Sequence, residues 1–163
     1  MALTAVVSGG QTGVDQAALR AALDAGLVVG GWCPPGCQSE AGAIPMEFGL
    51  KETPAERSPD APDVPRSLRT EWNVRDSDAT LIIRPPTSAV DRGTDWAIRC
   101  AERYARPLLV CDPDAAGSAD AIVRWLTTFP ITTLSVGGPS ESVAPGIGRQ
   151  SYALLSRVFR RLR

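Results

Sequence analysis

The sequence predicts an α/β fold, a Rossmann-like three-layer sandwich with a mostly parallel sheet, expected to form one ligand-binding domain over residues 1–163. Three observations predict it. Short apolar runs of strand length alternate with segments whose apolar residues recur at helical spacing. A glycine-rich turn joins the first run to the first helix. With 44% apolar residues in a chain of 163, there is enough hydrophobic material for one core, yet no run approaches the ~18 apolar residues of a membrane helix.

Residues 2–7 form the first apolar run. Val14, Ala17, Ala18, Ala21, Ala22 and Ala25 then share one helical stripe, and Gly26 stands where a left-handed cap closes a helix. Residues 27–32 read as the second strand. Seven of the fourteen prolines fall between Pro34 and Pro65, so neither a long helix nor a central strand fits there, and an extended surface-crossing loop is expected. A short helix is predicted over 69–76, a buried strand over 79–83 and a loop over 84–92. A helix over 93–106, a strand over 108–111 and an amphipathic helix over 118–129 follow. Residues 131–136 make the fifth strand. The chain closes with a helix over 150–162, whose Leu155, Val158, Phe159 and Leu162 form the apolar stripe while Arg157, Arg160, Arg161 and Arg163 stay wet. Strands and helices alternating at this spacing imply right-handed crossovers and helices on both sheet faces.

Composition excludes several function classes. A net charge of -1 lacks the basic excess of a nucleic-acid binder. Without a leader-like or membrane-spanning segment in these residues, the protein is expected to be cytoplasmic, with no nucleic-acid or membrane partner. There is no histidine, which removes imidazole-dependent triads and histidine-bearing zinc sites. The sole lysine, Lys51, does not follow a glycine-rich turn, so a Walker-type phosphate loop is excluded too. Cys33 and Cys37 are spaced one residue wider than a redox or zinc pair, and Cys100 and Cys111 read as buried small hydrophobes. No metal site is expected.

Ligands of open parallel sheets bind beyond the carboxyl ends of the strands. The motif Ser8-Gly9-Gly10-Gln11-Thr12-Gly13 lies there, leading into a helix whose first amides and dipole favour an anion. The hydroxyls of Ser8 and Thr12 are further candidate donors. Asp15 either orders the turn or binds a ligand hydroxyl. A second such turn, Gly137-Gly138-Pro139, ends the last strand, and Gly93-Thr94 opens a third helix. Three turns of this kind on one sheet edge favour a ligand with several anionic or polar groups over tight turns alone. Between them, Arg69, Asn73 and Asp76 share one helical face, while Trp72 and Arg75 lie on another. Arg69 and Asn73 are taken as candidate ligand contacts, with a solvated charged face as the alternative.

These motifs occur together elsewhere. Residues 8–15, Gly31-Trp32-Cys33-Pro34, Glu52-Thr53-Pro54, residues 69–82 and Gly137-Gly138-Pro139 followed by Pro145-Gly146-Ile147 resemble the molybdenum cofactor carrier family, in the same order along nearly the whole chain. The resemblance implies a Rossmann-like fold of the wider group that contains the lysine-decarboxylase-like "Lonely guy" phosphoribohydrolases. It also implies binding of molybdenum cofactor, a phosphate-bearing pterin with a dithiolene-bound metal, by a homo-oligomer, dimer or tetramer, that protects the cofactor and delivers it to molybdoenzymes. The chain departs from the phosphoribohydrolase signature. Gly93 and Thr94 are kept, but Ala97 stands where those enzymes carry a catalytic glutamate, which points to holding rather than hydrolysis. Arg92 replaces a glycine of the carrier pattern and Ser140 an arginine, so Arg92 is a candidate to restore the lost anion contact. Trp72, Trp96, Trp125 and Tyr152 are candidate interface aromatics. The alternatives are a nucleotide-processing enzyme using Asp95, Asp91 or Glu71 as acid or base, and a sensor of a nucleotide derivative that signals to a partner protein.

Overall fold

A computed structural model describes residues 2–89 and 91–162. Met1, Val90, which the sequence places in the loop over 84–92, and Arg163, which it places on the wet face of the last helix, lie outside the described residues. The chain runs β1 (Ala5–Val7), α1 (Val14–Asp24), β2 (Val28–Gly30), β3 (Trp32–Cys33), β4 (Gln38–Ser39), β5 (Gly42–Ala43), a 3-10 turn at Met46–Phe48 and β6 (Lys51–Glu52). It continues with α2 (Ser67–Arg75), β7 (Ala79–Ile83), α3 (Arg92–Arg103), β8 (Leu108–Cys111), α4 (Ser118–Thr128), β9 (Thr133–Gly137) and α5 (Ile147–Arg161).

Five strands form the central sheet in the order β2-β1-β9-β7-β8, each pair parallel. This is the α/β Rossmann-like layering the alternation predicts. Side chains alternate across a strand, and β7 and β9 use that alternation. Leu81, Ile83, Leu134 and Val136 join Val6 in a core closed by Val14 and Ala18 of α1, Ile122 and Leu126 of α4, and Leu154, Leu155 and Val158 of α5. On the other face, Val74 of α2 and Trp96, Cys100 and Ala101 of α3 make a smaller cluster with Ala61 and Val64. Trp96, a candidate interface aromatic, is 1% exposed and donates its indole N–H to the Ser67 carbonyl, so it belongs to the core.

Helix α1 ends as its glycine predicts. Gly26 has φ +82, its N–H donates to the Leu23 carbonyl, and Leu27 N–H reaches the Ala22 carbonyl, the paired bonds that satisfy a helix's last acceptors.

Two regions differ from expectation. The second strand stops at Gly30 instead of running through Trp32, because Gly31 takes φ +124 against the backbone of Ser8 and the side chain of Asn73, with no room for a Cβ. The chain leaves the sheet there, and Trp32–Cys33 pairs with Lys51–Glu52 instead. The proline-rich stretch is likewise more than an extended loop. It builds the β3–β6 and β4–β5 ribbons and buries Ile44 and Phe48 against Leu19 and Cys33. Prolines bar long elements but allow two-residue pairings between them. Cys111, read from sequence as buried, is half-buried. No described helix is long and apolar enough to cross a membrane.

Candidate functional site

At the carboxyl ends of β1, β7 and β9, on the sheet face that α2 and α3 share, lies a cavity of about 350 Å³. That falls within the roughly 300–1,000 Å³ of small-molecule sites. Of the residues singled out in the sequence, Ser8, Gly9, Gln11, Asp15, Arg69, Asn73, Gly93, Thr94, Gly137 and Gly138 line it, brought together from four separate segments. Gly10, Thr12, Gly13 and Pro139 do not. Gly10 sits under Ile44 and Leu50, which leave no space for a Cβ. Gly13 lies as tightly against the Pro139 carbonyl and Glu141 amide, and Pro139 spends that carbonyl on Val14 N–H. Thr12 turns to the other side of the turn, where its hydroxyl accepts from Glu141 N–H.

Several expected ligand contacts are already engaged. The Ser8 hydroxyl donates to the Val136 carbonyl at 2.6 Å, so it locks β1 to β9 and is no free donor. Asn73 holds the backbone of Trp32 from both sides, accepting its N–H at 2.8 Å and donating to its carbonyl at 3.0 Å. Asp15, buried and 4% exposed at its side chain, accepts from Gln11 N–H at 3.2 Å and faces Arg69 Nη1 at 3.3 Å. It orders the turn. Burial raises its pKa above the ordinary 3.8, against the opposing pull of Arg69 and the Gln11 N–H. Gly9 is required for this arrangement, since a Cβ there would strike the Arg69 guanidinium.

Of the three glycine-rich turns expected to face an anion, two hold carboxylates of the chain itself, and Gly137 and Gly138 line the cavity without one. The first and third turns, and the start of α5, each carry a carboxylate of the chain. Asp15 serves the first. Asp91 accepts from Gly93 N–H, Thr94 N–H and the Thr94 hydroxyl at the start of α3. Glu141 accepts from Gly146 and Gly148 N–H at the start of α5. An acidic side chain at a helix amino end satisfies the same orphan amides that a phosphate would. The positive side chains at the cavity are Arg69 in the wall, with Arg66 and Arg92 also lining it.

Three buried polar atoms of the cavity wall, Gln11 Nε2, Arg69 Nε and Thr80 Oγ1, have no hydrogen-bond partner among the described residues. Buried polar groups are rarely left so. Gln11 is oriented by its carbonyl oxygen, which accepts from Thr12 N–H and Glu40 N–H. This assigns the amide nitrogen as the free end. Arg66, Thr80 and Ser135 are cavity residues that the sequence reading missed. Thr80 could have been found as the lone hydroxyl of an otherwise apolar strand, and Ser135 as the hydroxyl between Leu134 and Val136. Arg66 gave no signal, because its left-handed backbone, φ +59, is unmarked by glycine or asparagine.

The candidate acids and bases of the enzyme alternative separate. Asp95 is exposed and bound to Arg84 at 2.6 Å. Glu71 accepts from Ser58 and Tyr104. Asp91 lines the cavity but is occupied as a helix cap. Ala97 lines the cavity as well. None of the cysteines lines it, and among the described residues no group of three or more thiols and carboxylates could hold a metal.

A model of the circularly permutated YpsA SLOG family matches residues 6–159. Among solved structures, the chain is similar to that of a "Putative molybdenum carrier protein" from Syntrophus aciditrophicus SB, with 35% identity and a TM-score of 0.85 over 96% of this chain and 95% of that one. No match is found among curated proteins. The chain belongs to the circularly permutated YpsA SLOG family.

Proposed function

We propose that this member of the circularly permutated YpsA SLOG family is a cytoplasmic binding protein that holds and delivers a phosphate-bearing pterin, molybdenum cofactor, without transforming it. The observation that carries the reading is the set of unpartnered wall atoms, Gln11 Nε2, Arg69 Nε and Thr80 Oγ1, around a cavity of about 350 Å³. Two donors and a hydroxyl suit a heterocycle rich in carbonyl and ring-nitrogen acceptors. Arg66 and Arg92 suit a phosphate, which guanidinium groups bind in fork geometry. With no thiol or imidazole in the lining, a bound metal would keep the sulfur ligands of its own pterin. The Syntrophus structure is named for carrying molybdenum, which supports a molybdenum-bearing cargo. Delivery to molybdoenzymes and assembly into a homo-oligomer complete the proposal.

The test is retention. Purified protein mixed with molybdenum cofactor should keep it through gel filtration and slow its oxidation, and Arg66→Ala with Arg92→Ala should weaken binding about 10- to 100-fold, since a hydrogen bond to a charged group contributes about 1.5–3 kcal/mol. Equal cofactor loss with and without protein would reject the carrier reading.

Asp15 favours a second reading. A buried carboxyl with a raised pKa beside an arginine, in a cavity wall, is the environment of a general acid. Hydrolysis of a nucleoside monophosphate to free base, abolished by Asp15→Asn, would establish that activity; no base released by the natural protein would reject it.

A further inference from the structure

Cys33 and Cys37 flank the turn Pro34-Pro35-Gly36, and the fold presses them together. The Cys33 thiol donates to Cys37 Sγ at 2.9 Å, and both are free thiols. A disulfide is about 2.05 Å long, so closure needs a sulfur shift of roughly 0.9 Å. The backbone on either side is already fixed for it. Cys33 is paired to β6 and gives its carbonyl to Thr53 N–H. Cys37, in the left-handed conformation at φ +52, donates its N–H to the Pro34 carbonyl, and Gly36 N–H is held by the Glu52 carboxylate. The two sulfurs differ in access. Cys33 is fully buried among Leu19, Ile44 and Phe48, whereas Cys37 is partly exposed.

We propose that Cys33 and Cys37 form a reversible thiol–disulfide site, oxidised by a low-molecular-weight disulfide, that fixes the hairpin wall behind Gln11. The order of attack follows from access and acidity. Burial, and the contact with Cys37, push the Cys33 thiol up to about 12, and Cys37 is the partly exposed sulfur that a small disulfide can reach, so Cys37 attacks first. Its sulfur attacks the small disulfide, forming a mixed disulfide and releasing one small thiolate, which takes up the proton Cys37 lost. Cys33 sulfur then attacks Cys37 Sγ, its proton passing to the second departing thiolate. Two protein thiols and one small disulfide become one protein disulfide and two small thiols.

The bond would act at a specific place. Cys37 leads directly into β4 and accepts Ile44 N–H at its carbonyl, which ties the two ends of the β4–β5 hairpin. At the tip of that hairpin, Glu40 N–H donates to Gln11 Oε1 at 2.9 Å, one of the two bonds that leave Gln11 Nε2 free at the cavity. Closing the disulfide therefore restricts the segment that orients Gln11.

Incubation of the whole chain with glutathione disulfide should lower its titratable thiols from the four in the sequence to two. Peptide mapping should place the cross-link at Cys33–Cys37, and a dithiol reductant should restore both thiols. Amide exchange at Glu40 and Ile44 should slow in the oxidised form. Cys33→Ser should accumulate a glutathione adduct on Cys37, whereas Cys37→Ser should leave Cys33 unmodified. A stable glutathione adduct on Cys37 of the natural chain, cross-linking between chains, loss of no thiol, or unchanged exchange at Glu40 and Ile44 would each overturn the proposal.

Discussion

The two faces of the central sheet are made from the same strands and serve opposite purposes. From β7, Leu81 and Ile83 enter the core under α1, α4 and α5, while Thr80 and Ile82 line the cavity. From β9, Leu134 and Val136 join the first side, and Ser135 and Gly137 look to the cavity, whose edge Val136 also reaches. The first face is apolar and closed. The second carries hydroxyls and is covered by α2 and α3 only so far as the cavity allows. Stability and binding are thus separated by strand parity, one residue apart in the chain, and substitutions of neighbours should separate them in measurement.

The largest effect belongs to the closed face. Leu81→Ala removes a fully buried side chain and should lower unfolding free energy by about 2–5 kcal/mol in a denaturant titration. A loss below 1 kcal/mol would mean that this face is not the main core. Next come the paired glycines that end β9. A Cβ on Gly138 would lie 2.2 Å from the Ile83 carbonyl and 2.7 Å from Val14 Cγ2, so Gly138→Ala should cost about 1–3 kcal/mol through overpacking. A Cβ on Gly137 meets only Ile82 Cδ1 at 3.5 Å, an ordinary contact. Gly137→Ala should leave stability within about 0.5 kcal/mol, and equal losses from both would erase the distinction.

That asymmetry marks how far the sequence could be read. The closed face was legible because hydrophobic periodicity reports burial directly: β7 and β8 lie where residues 79–83 and 108–111 place them. The positions of the glycine-rich turns were legible for the same reason, as interruptions in that pattern. Their occupancy was not. Whether an amide faces a ligand or a carboxylate of the same chain depends on side chains such as Asp15, Asp91 and Glu141, whose reach is set by tertiary packing. The proline-rich stretch hid for a related reason. Ile44, Phe48, Ala61 and Val64 are buried singly from irregular backbone, and isolated apolar residues have no period to detect. Arg66 depends on a left-handed conformation that its residue type does not favour.

Titration tests the polar face alone. Burial holds the Asp15 pKa above 3.8 in the folded protein, so between 3.8 and that raised value the folded state binds more protons than the unfolded chain. Stability from this group is therefore full below 3.8 and falls as pH rises through the interval. Subtracting the pH–stability curve of Asp15→Asn from that of the natural protein should leave a difference that declines with pH there. A difference rising with pH would show that Arg69 outweighs burial and that Asp15 is an ordinary ion-pair carboxylate. Several other carboxylates are shifted the opposite way, Asp78 by the Thr133 and Thr132 backbone amides among them, which is why the subtraction and not the raw curve carries the result.

The smallest effect on folding is the most discriminating. Thr80 lies beside Leu81 in β7, is 1% exposed and leaves its hydroxyl without a partner. Thr80→Val keeps the shape and removes the orphan oxygen, which should leave stability unchanged or raise it by up to about 1 kcal/mol, because an unsatisfied buried group carries a desolvation penalty. If the hydroxyl is kept for a ligand, the same substitution should weaken binding of molybdenum cofactor about 5- to 10-fold, the equivalent of about 1–1.5 kcal/mol for one neutral hydrogen bond. A variant that loses stability as Leu81→Ala does would place Thr80 in the core and end the contrast between the faces. A variant that gains stability and loses binding would show strand β7 divided residue by residue between holding the fold and holding the cargo.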